Sequence, residues 1–299
     1  MRVIIAGAGT MGLPISKIFA RHGHDVILYE ISKLSIEKAE RVLTTIYLNE
    51  NGINISLSMD ANIFKKADFV FESISEDMEI KKLFWESVSK IVNKNILLTT
   101  NTSGLSITEM ATSVFNPGRF AGMHWINPPD IIPLVEVING KETLLETSRE
   151  VMDIAISLNK KPVLVKKDIP GFLLNRLQFS LLREAMSIVE SGAAEYEDID
   201  KVVKLALGLR YACIGPFETA DLGGLDVFLN IAKYLYKDLN NDVKPDKSFI
   251  EMVNRGDYGL KSGRGFYDYS SIYDKTTISQ RDKMLTAVIE SLEKISGIP

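Results

Sequence analysis

The chain has 299 residues, which is long for a single hydrophobic core, so two domains are expected. Hydrophobic residues make up 45% and charged residues 25%, which is typical of globular proteins and excludes a disordered chain, a collagen or a coiled-coil rod. Lys and Arg total 35 against 39 Asp and Glu, so the net charge of −4 gives no basic field and we expect no nucleic-acid partner.

Cysteine usage and the N-terminus predict a cytoplasmic protein. Cys213 is the single cysteine, so no internal disulfide and no cysteine-based zinc site can form, which favours a reducing compartment. The apolar run after Met1 is too short and too soon interrupted by glycine for a signal peptide. No apolar stretch reaches the roughly 18–20 residues that span a bilayer, so we expect no membrane partner. We predict that Cys213 is a small core residue.

Short apolar runs alternate with helical patterns over about the first 170 residues. Strands are predicted at residues 3–6, 25–29, 68–71, 96–99 and 119–124, and a further apolar strand contains Glu136. Continuous apolar runs are typical of strands that are covered on both faces. The pattern therefore predicts an α/β Rossmann-like domain with a doubly wound, mostly parallel sheet over residues 1–169.

The pattern changes at the polar turn 166–171, which contains Pro170 and Gly171. Beyond it we find almost only helical periodicity, which predicts an all-helical C-terminal domain over residues 170–299. This domain would contribute to a substrate cleft. Its apolar stripes, such as the one containing Leu177 and Leu181, exceed what one small domain needs, so we expect a homodimer.

A glycine-rich turn follows the first predicted strand and opens a helix. Its three glycines permit a tight turn, a close approach of the backbone to a pyrophosphate and close helix–strand packing. The acid Glu30 ends the second strand, 18 residues after Gly12, where it would accept hydrogen bonds from the adenosine ribose and favour NAD over NADP. A methyltransferase-like turn and a surface role for Glu30 are the alternatives. The predicted NAD contacts here are Gly7, Gly9, Thr10, Met11, Gly12 and Glu30.

Polar residues follow or interrupt several apolar segments, at places where open α/β sheets bind ligands. His124 ends a predicted strand, whereas His22 and His24 flank a helix end and are interpreted as caps. A buried carboxylate such as Glu136 is costly unless it is paired. The structural alternatives are a core histidine at His124 and a turn serine at Ser103. Asn175 interrupts an apolar helix start and needs a partner.

The sequence resembles the L-3-hydroxyacyl-CoA dehydrogenase family, which includes the 3-hydroxybutyryl-CoA dehydrogenases. The resemblance covers nearly the whole chain. The motifs that carry it, in order, are GAGTMG, SISED, NTSGL, MHWINPP, PLVEVI, DIPGFLLNRL, IGPFETADLGGLD and GLKSGRGFYDY. It implies oxidation of the 3-hydroxyl of an L-3-hydroxyacyl-CoA, short-chain in our interpretation, to the 3-ketoacyl-CoA with NAD.

The resemblance also implies roles for individual residues. His124 would be the general base that takes the hydroxyl proton, and Glu136 would orient its ring. Ser103 and Asn175 would hydrogen-bond the reacting oxygen. Further residues match family positions near the nicotinamide or in the substrate cleft; they are Glu76, Lys81 and Asn101 for the cofactor and Asn127 for the substrate. No metal is implied.

The acyl carrier is less well supported than the chemistry. The family positions that touch the CoA nucleotide fall near Ile46 and Ile53, which cannot hold a phosphate. A dehydrogenase of a CoA-free hydroxy acid or alcohol, such as a sugar acid, carnitine or a pyridine carboxylate, is therefore the second hypothesis. A non-enzymatic NAD-binding protein is the third.

Overall fold

A computed structural model of the chain describes residues 1–46, 54–270 and 275–296. The chain divides into two compact units, Met1–Arg176 and Leu177–Pro299. Within the described residues, no helix is both long enough and apolar enough to pass through a bilayer.

The first unit is built around one eight-stranded sheet. Its strands are β1 (Arg2–Ala6), β2 (Asp25–Tyr29), β3 (Ile55–Ser58), β4 (Phe69–Glu72), β5 (Leu97–Thr100), β6 (Phe120–Trp125), β7 (Leu134–Ile138) and β8 (Lys161–Val165). They lie in the order β3-β2-β1-β4-β5-β6-β7-β8, and all neighbours are parallel except β6 and β7. The first six strands have the order of doubly wound dinucleotide-binding sheets, which confirms the predicted Rossmann-like class.

Helices accompany this sheet. They are α1 (Gly12–Arg21), α2 (Lys33–Ile46), α3 (Met78–Val88), α4 (Ile107–Ala111) and α5 (Leu145–Ser157), and α6 (Leu174–Glu190) begins in the same unit. Local sequence explains two of the starts: Asp77 caps α3 and Ser106 caps α4, each through a side-chain oxygen that accepts a backbone N–H. His22 is the C-cap residue of α1, as interpreted from the sequence.

Two hydrophobic clusters bury the two faces of the sheet. Along β1, Val3 and Ile5 belong to one cluster, whereas Ile4 belongs to the other, and all three are fully buried. Successive side chains of a strand point to opposite faces, so a strand buried on both sides must be apolar throughout. This explains the continuous apolar run that begins the sequence.

The second unit is helical. After α6 it contains α7 (Tyr196–Val202), a π-helical turn (Val203–Leu207), α8 (Gly208–Cys213), α9 (Pro216–Gly223), α10 (Leu225–Leu235), α11 (Lys247–Asn254) and α12 (Lys275–Ser296). Of its described apolar side chains, Met186 alone is buried. Many large apolar residues are exposed in the single chain, including Phe217 at 85% and Leu177 at 65%. The all-helical character of this part is confirmed.

Two details differ from the expectations. The sequence did not predict β3 or β8, which are both short. The prediction that Cys213 is a core residue is wrong, because this thiol at the end of α8 is exposed.

Candidate active site

The glycine turn between β1 and α1 combines tight packing with one open position. Gly7 has φ +102°, and a Cβ there would lie 2.3 Å from the carbonyl oxygen of Ser73. A Cβ on Gly12 would lie 1.9 Å from the carbonyl oxygen of Gly7. A Cβ on Gly9, in contrast, would meet no atom within 4 Å. The outer glycines therefore permit close backbone packing, and the middle one leaves room for a ligand to approach.

Glu30 lies beside this turn because it follows β2, the neighbour of β1. Its carboxylate accepts hydrogen bonds from the N–H groups of Ala8, Ile31 and Ser32 at 2.9–3.1 Å. Thr10 is exposed between the glycines, and Met11 precedes the helix without a side-chain cap. An open backbone turn at a helix N-terminus with an acid beside it fits the pyrophosphate and ribose of NAD.

His124 and Glu136 are brought together by the antiparallel pairing of β6 and β7, in which they are direct partners. The Nδ1 atom of His124 lies 2.8 Å from Oε2 of Glu136. The histidine is 5% exposed and the glutamate 0%. Residues directly opposite on antiparallel strands point to the same face, so the pairing register itself creates the acid–imidazole contact.

The second oxygen of Glu136 holds the start of α6. Its Oε1 atom accepts hydrogen bonds from the N–H groups of Leu173 and Leu174, at 2.9 and 3.0 Å. Burial disfavours the charged carboxylate, but the bonds from His124 and from these two N–H groups outweigh it, so the pKa of Glu136 lies below its ordinary value. The carboxylate thus keeps its charge in a buried position.

Ser103 and Asn175 are adjacent. The side-chain amide of Asn175 donates a 2.6 Å hydrogen bond to the backbone carbonyl of Ser103. The N–H of Ser103 donates to Oε1 of Glu76 at 2.7 Å, and the hydroxyl of Thr102 donates to the same oxygen at 2.7 Å. The loop after β5 is therefore fixed on one side by Glu76 and on the other by the first turn of α6.

The remaining predicted residues have different degrees of exposure. The Lys81 side chain is 1% exposed, whereas that of Glu76 is 46% exposed, and their charged atoms are 3.5 Å apart. Asn101 is largely buried, and its amide oxygen accepts a 2.8 Å bond from the N–H of Trp125. Asn127 is exposed in the connection between β6 and β7. The residues near Ile53 and the side chain of Ile46 lie outside the described part of the chain.

Three polar residues of this region were not assigned from the sequence. Glu72 is fully buried at the end of β4. Asp168 accepts hydrogen bonds from the Ser106 hydroxyl and the Thr108 N–H, which ties residues after β8 to the start of α4. Lys160 donates to the backbone carbonyls of Pro129 and Ile132, which fixes the connection that carries Asn127.

Glu72 could have been predicted from the sequence as a buried, paired acid, because it is a lone acid in an apolar strand, like Glu136. Lys160 could not, since a lysine between a helix and a strand reads as an exposed turn residue. Burial lowers the pKa of Lys160, although Asp130 acts in the opposite direction. In residues 1–46, 54–270 and 275–296, no cluster of three His, Cys, Asp or Glu could hold a metal ion.

Two family models match the chain. The model of the 3-hydroxyacyl-CoA dehydrogenase NAD-binding domain matches residues 2–169, and that of the C-terminal domain of the same enzymes matches residues 171–269. The second match ends before α12 begins at Lys275.

Three similar proteins illustrate the range of relatives. A probable 3-hydroxybutyryl-CoA dehydrogenase of Deinococcus radiodurans is 36% identical over 90% of this chain and 100% of its own length. The solved structure of (S)-3-hydroxybutyryl-CoA dehydrogenase from Ralstonia eutropha is 33% identical, with coverages of 90% and 98% and a TM-score of 0.72. The structure of 5-formyl-3-hydroxy-2-methylpyridine 4-carboxylic acid 5-dehydrogenase, an NAD⁺-dependent dismutase, is 33% identical, with both coverages 98% and a TM-score of 0.91.

Alanine at the two inequivalent glycines should separate stability from cofactor binding. Gly7→Ala forces a Cβ onto the Ser73 carbonyl at a positive φ, so we expect the free energy of unfolding to fall by about 1–3 kcal/mol. Gly9→Ala should change it by less than about 1 kcal/mol, yet raise the Kd for NADH, because its methyl group occupies the open position. Urea unfolding and NADH fluorescence titration measure both. Unchanged NADH affinity in Gly9→Ala would show that this turn does not contact the cofactor.

Glu136→Gln should impair both the site and the fold. One amide oxygen cannot replace two carboxylate oxygens, so either His124 or the start of α6 loses its acceptor, at a cost of about 1–3 kcal/mol. Because the native pKa of Glu136 is lowered, the wild type should lose stability as pH falls from the ordinary glutamate value through the native one.

That part of the acid dependence should be absent from Glu136→Gln when urea unfolding is measured across the acid range. Glu86→Gln is the matched control, since it breaks an exposed ion pair with Lys90 and should change stability by less than about 1 kcal/mol. Identical acid profiles for wild type and Glu136→Gln would contradict the lowered pKa.

Proposed function

The chain belongs to the 3-hydroxyacyl-CoA dehydrogenase family and is an NAD-dependent oxidoreductase, and from that premise we propose that it oxidises a substrate hydroxyl with His124 as the general base. The observation that carries this proposal is the buried 2.8 Å contact between His124 Nδ1 and Glu136. NAD, when bound at the glycine turn, supplies the hydride acceptor. The chain's own residues supply the proton acceptor and the alignment of the substrate.

His124 accepts the hydroxyl proton at Nε2, because Nδ1 is engaged by the carboxylate of Glu136. The carboxylate fixes the ring orientation and stabilises the imidazolium that forms when the proton arrives. Ser103 and Asn175 hydrogen-bond the reacting oxygen, and their contact with each other supports this joint role. Asn127 lines the substrate site. Glu76, Lys81 and Asn101 act on the nicotinamide side.

For the substrate, the first candidate is a short-chain L-3-hydroxyacyl-CoA such as 3-hydroxybutyryl-CoA. The family and relatives that carry this activity in their names support it. The second candidate is a CoA-free hydroxy acid or alcohol, of the sugar-acid, carnitine or pyridine-carboxylate type. It is favoured by the structural similarity to a pyridine-carboxylate dehydrogenase along almost the whole chain, at a TM-score of 0.91. The apolar residues Ile46 and Ile53, at positions expected to contact CoA, favour it too.

His124→Gln, assayed with a substrate panel, tests this proposal. We expect wild-type turnover with either acetoacetyl-CoA and NADH or a CoA-free acid and NAD, and a fall in kcat of about 10²–10⁴-fold in His124→Gln with NADH affinity retained. The CoA-free arm includes formyl and hydroxymethyl pyridine carboxylates, carnitine and sugar acids. Equal turnover in wild type and variant would contradict His124 as the general base, and NADH binding without turnover on any substrate would favour the non-enzymatic alternative.

We further propose domains at residues 1–169 and 170–299 and self-association through the helical part. The exposed apolar residues of the second unit support a homodimer, because monomeric proteins rarely expose large apolar patches. The single cysteine supports a cytoplasmic location.

Sedimentation velocity at several protein concentrations tests the homodimer. We expect a species of twice the chain mass of 33.4 kDa at micromolar concentration. Phe217→Glu, at a side chain that is 85% exposed in the single chain, should shift the equilibrium to the monomer if this surface is covered by a second copy. The control Leu145→Glu changes an exposed apolar residue of the first unit and should leave the dimer intact. A monomeric wild type would contradict the proposal.

A further inference from the structure

Glu72 is a fully buried acid outside the proton-transfer pair. Its carboxylate accepts hydrogen bonds from the Thr100 hydroxyl at 2.6 Å and from the Ile74 N–H at 2.8 Å. The ammonium group of Lys81 donates to the same carboxylate. A buried carboxylate persists only where donors and an opposite charge compensate for lost hydration. Glu72 is thus a fixed anchor between the ends of β4 and β5.

Lys81 is held by this anchor rather than extended towards solvent. Its side chain is 1% exposed, and its Nζ atom also lies 3.4 Å from the Ile74 carbonyl oxygen and 3.5 Å from Oε2 of Glu76. Three oxygens therefore surround the ammonium group. The pairing with Glu72 fixes where the ammonium group lies, because loss of Lys81 alone would leave the Glu72 carboxylate buried without an opposite charge.

Glu76 connects Lys81 to the loop that contains Ser103. While Oε2 faces Lys81, Oε1 accepts the Thr102 hydroxyl and the Ser103 N–H, both at 2.7 Å. The carbonyl of Ser103 in turn accepts the amide of Asn175. A continuous series of polar contacts thus connects a buried acid in the sheet to the two residues assigned to the reacting oxygen.

We propose that Glu72 and Lys81 are positioning residues: the ammonium group, fixed by Glu72, orients the Glu76 carboxylate, which sets the position of the Ser103 loop. This role of Lys81 is additional to the cofactor contact that the family resemblance implies. The consequence for turnover rests on the proposed function, whereas the consequence for the order of the loop does not.

The test measures amide exchange of residues 102–105 in the cofactor-free protein. In Glu72→Gln/Lys81→Met, which removes both buried charges together, we expect exchange of the Ser103 and Leu105 N–H groups to be at least about 10-fold faster, with α1 and α5 unchanged. Glu76→Gln, at a half-exposed side chain that does not anchor the sheet, should accelerate the same amides. The kcat of both variants should fall by about 10-fold or more.

Lys82→Met is the matched control, because this neighbouring lysine of α3 pairs with Glu109 and Glu79 outside the series. It should leave exchange and kcat unchanged. If the double variant does not fold, Lys81→Gln tests the same step, since it keeps a donor for Glu72 but removes the charge that faces Glu76.

Two results would overturn the proposal. Unchanged exchange at residues 102–105, whatever the Kd for NADH, would show that the pair does not position this loop. Faster exchange spread over the whole first unit would make the pair a source of global stability only. The exchange results do not depend on turnover. If the wild type shows no dehydrogenase activity, the proposed function fails, but the exchange results still decide whether the pair positions the loop.

Discussion

The carboxylate of Glu136 is the constraint on which the proposed chemistry depends. One oxygen fixes the imidazole of His124, and the other accepts the N–H groups of Leu173 and Leu174, where α6 begins next to Asn175. A single buried group therefore couples the orientation of the base to the position of the side chain that meets the Ser103 loop. Any movement of the start of α6 away from Glu136 disturbs the base as well.

Glu136 on β7 and Glu72 on β4 are both buried acids, and the sheet compensates their loss of hydration in two different ways. Glu136 keeps its charge through an imidazole and two backbone donors, whereas Glu72 uses an ammonium group, a hydroxyl and one backbone donor. Loss of hydration costs several kcal/mol for an isolated charge, so each carboxylate needs its full set of donors. Such fully satisfied groups hold neighbouring loops in one arrangement, which a catalytic site requires.

Much of the fold could be predicted because its signals are local. The glycine turn, the alternation of apolar strands and helices and the late helical part each depend on short-range patterns. β3 escaped because ISLS is short and alternates polar with apolar residues, like many surface loops. The surface that covers Leu177 could not be predicted, since periodicity identifies an apolar face but not the element that packs on it.

In the candidate site, the cost of a lone buried acid predicted a partner for Glu136, and the family resemblance identified His124 as that partner. The antiparallel pairing that creates the contact could not be predicted, because strand direction is a property of the whole sheet. The contacts of Lys81 could not be predicted from the sequence for a related reason. A lysine on a helix is normally solvated, and only the end of a neighbouring strand turns this one inward.

The pairing between β6 and β7 also separates the acid–imidazole contact from the residues that connect the two strands. A slip of one residue would turn Glu136 to the opposite face of the sheet, so the register protects the acid–imidazole pair. The intervening residues 126–133 belong to neither strand. Lys160 donates hydrogen bonds to two of their backbone carbonyl oxygens, which are present whatever the side chain. Directed evolution can therefore vary the side chains of residues 126–133 while the strand register that forms the acid–imidazole contact is kept.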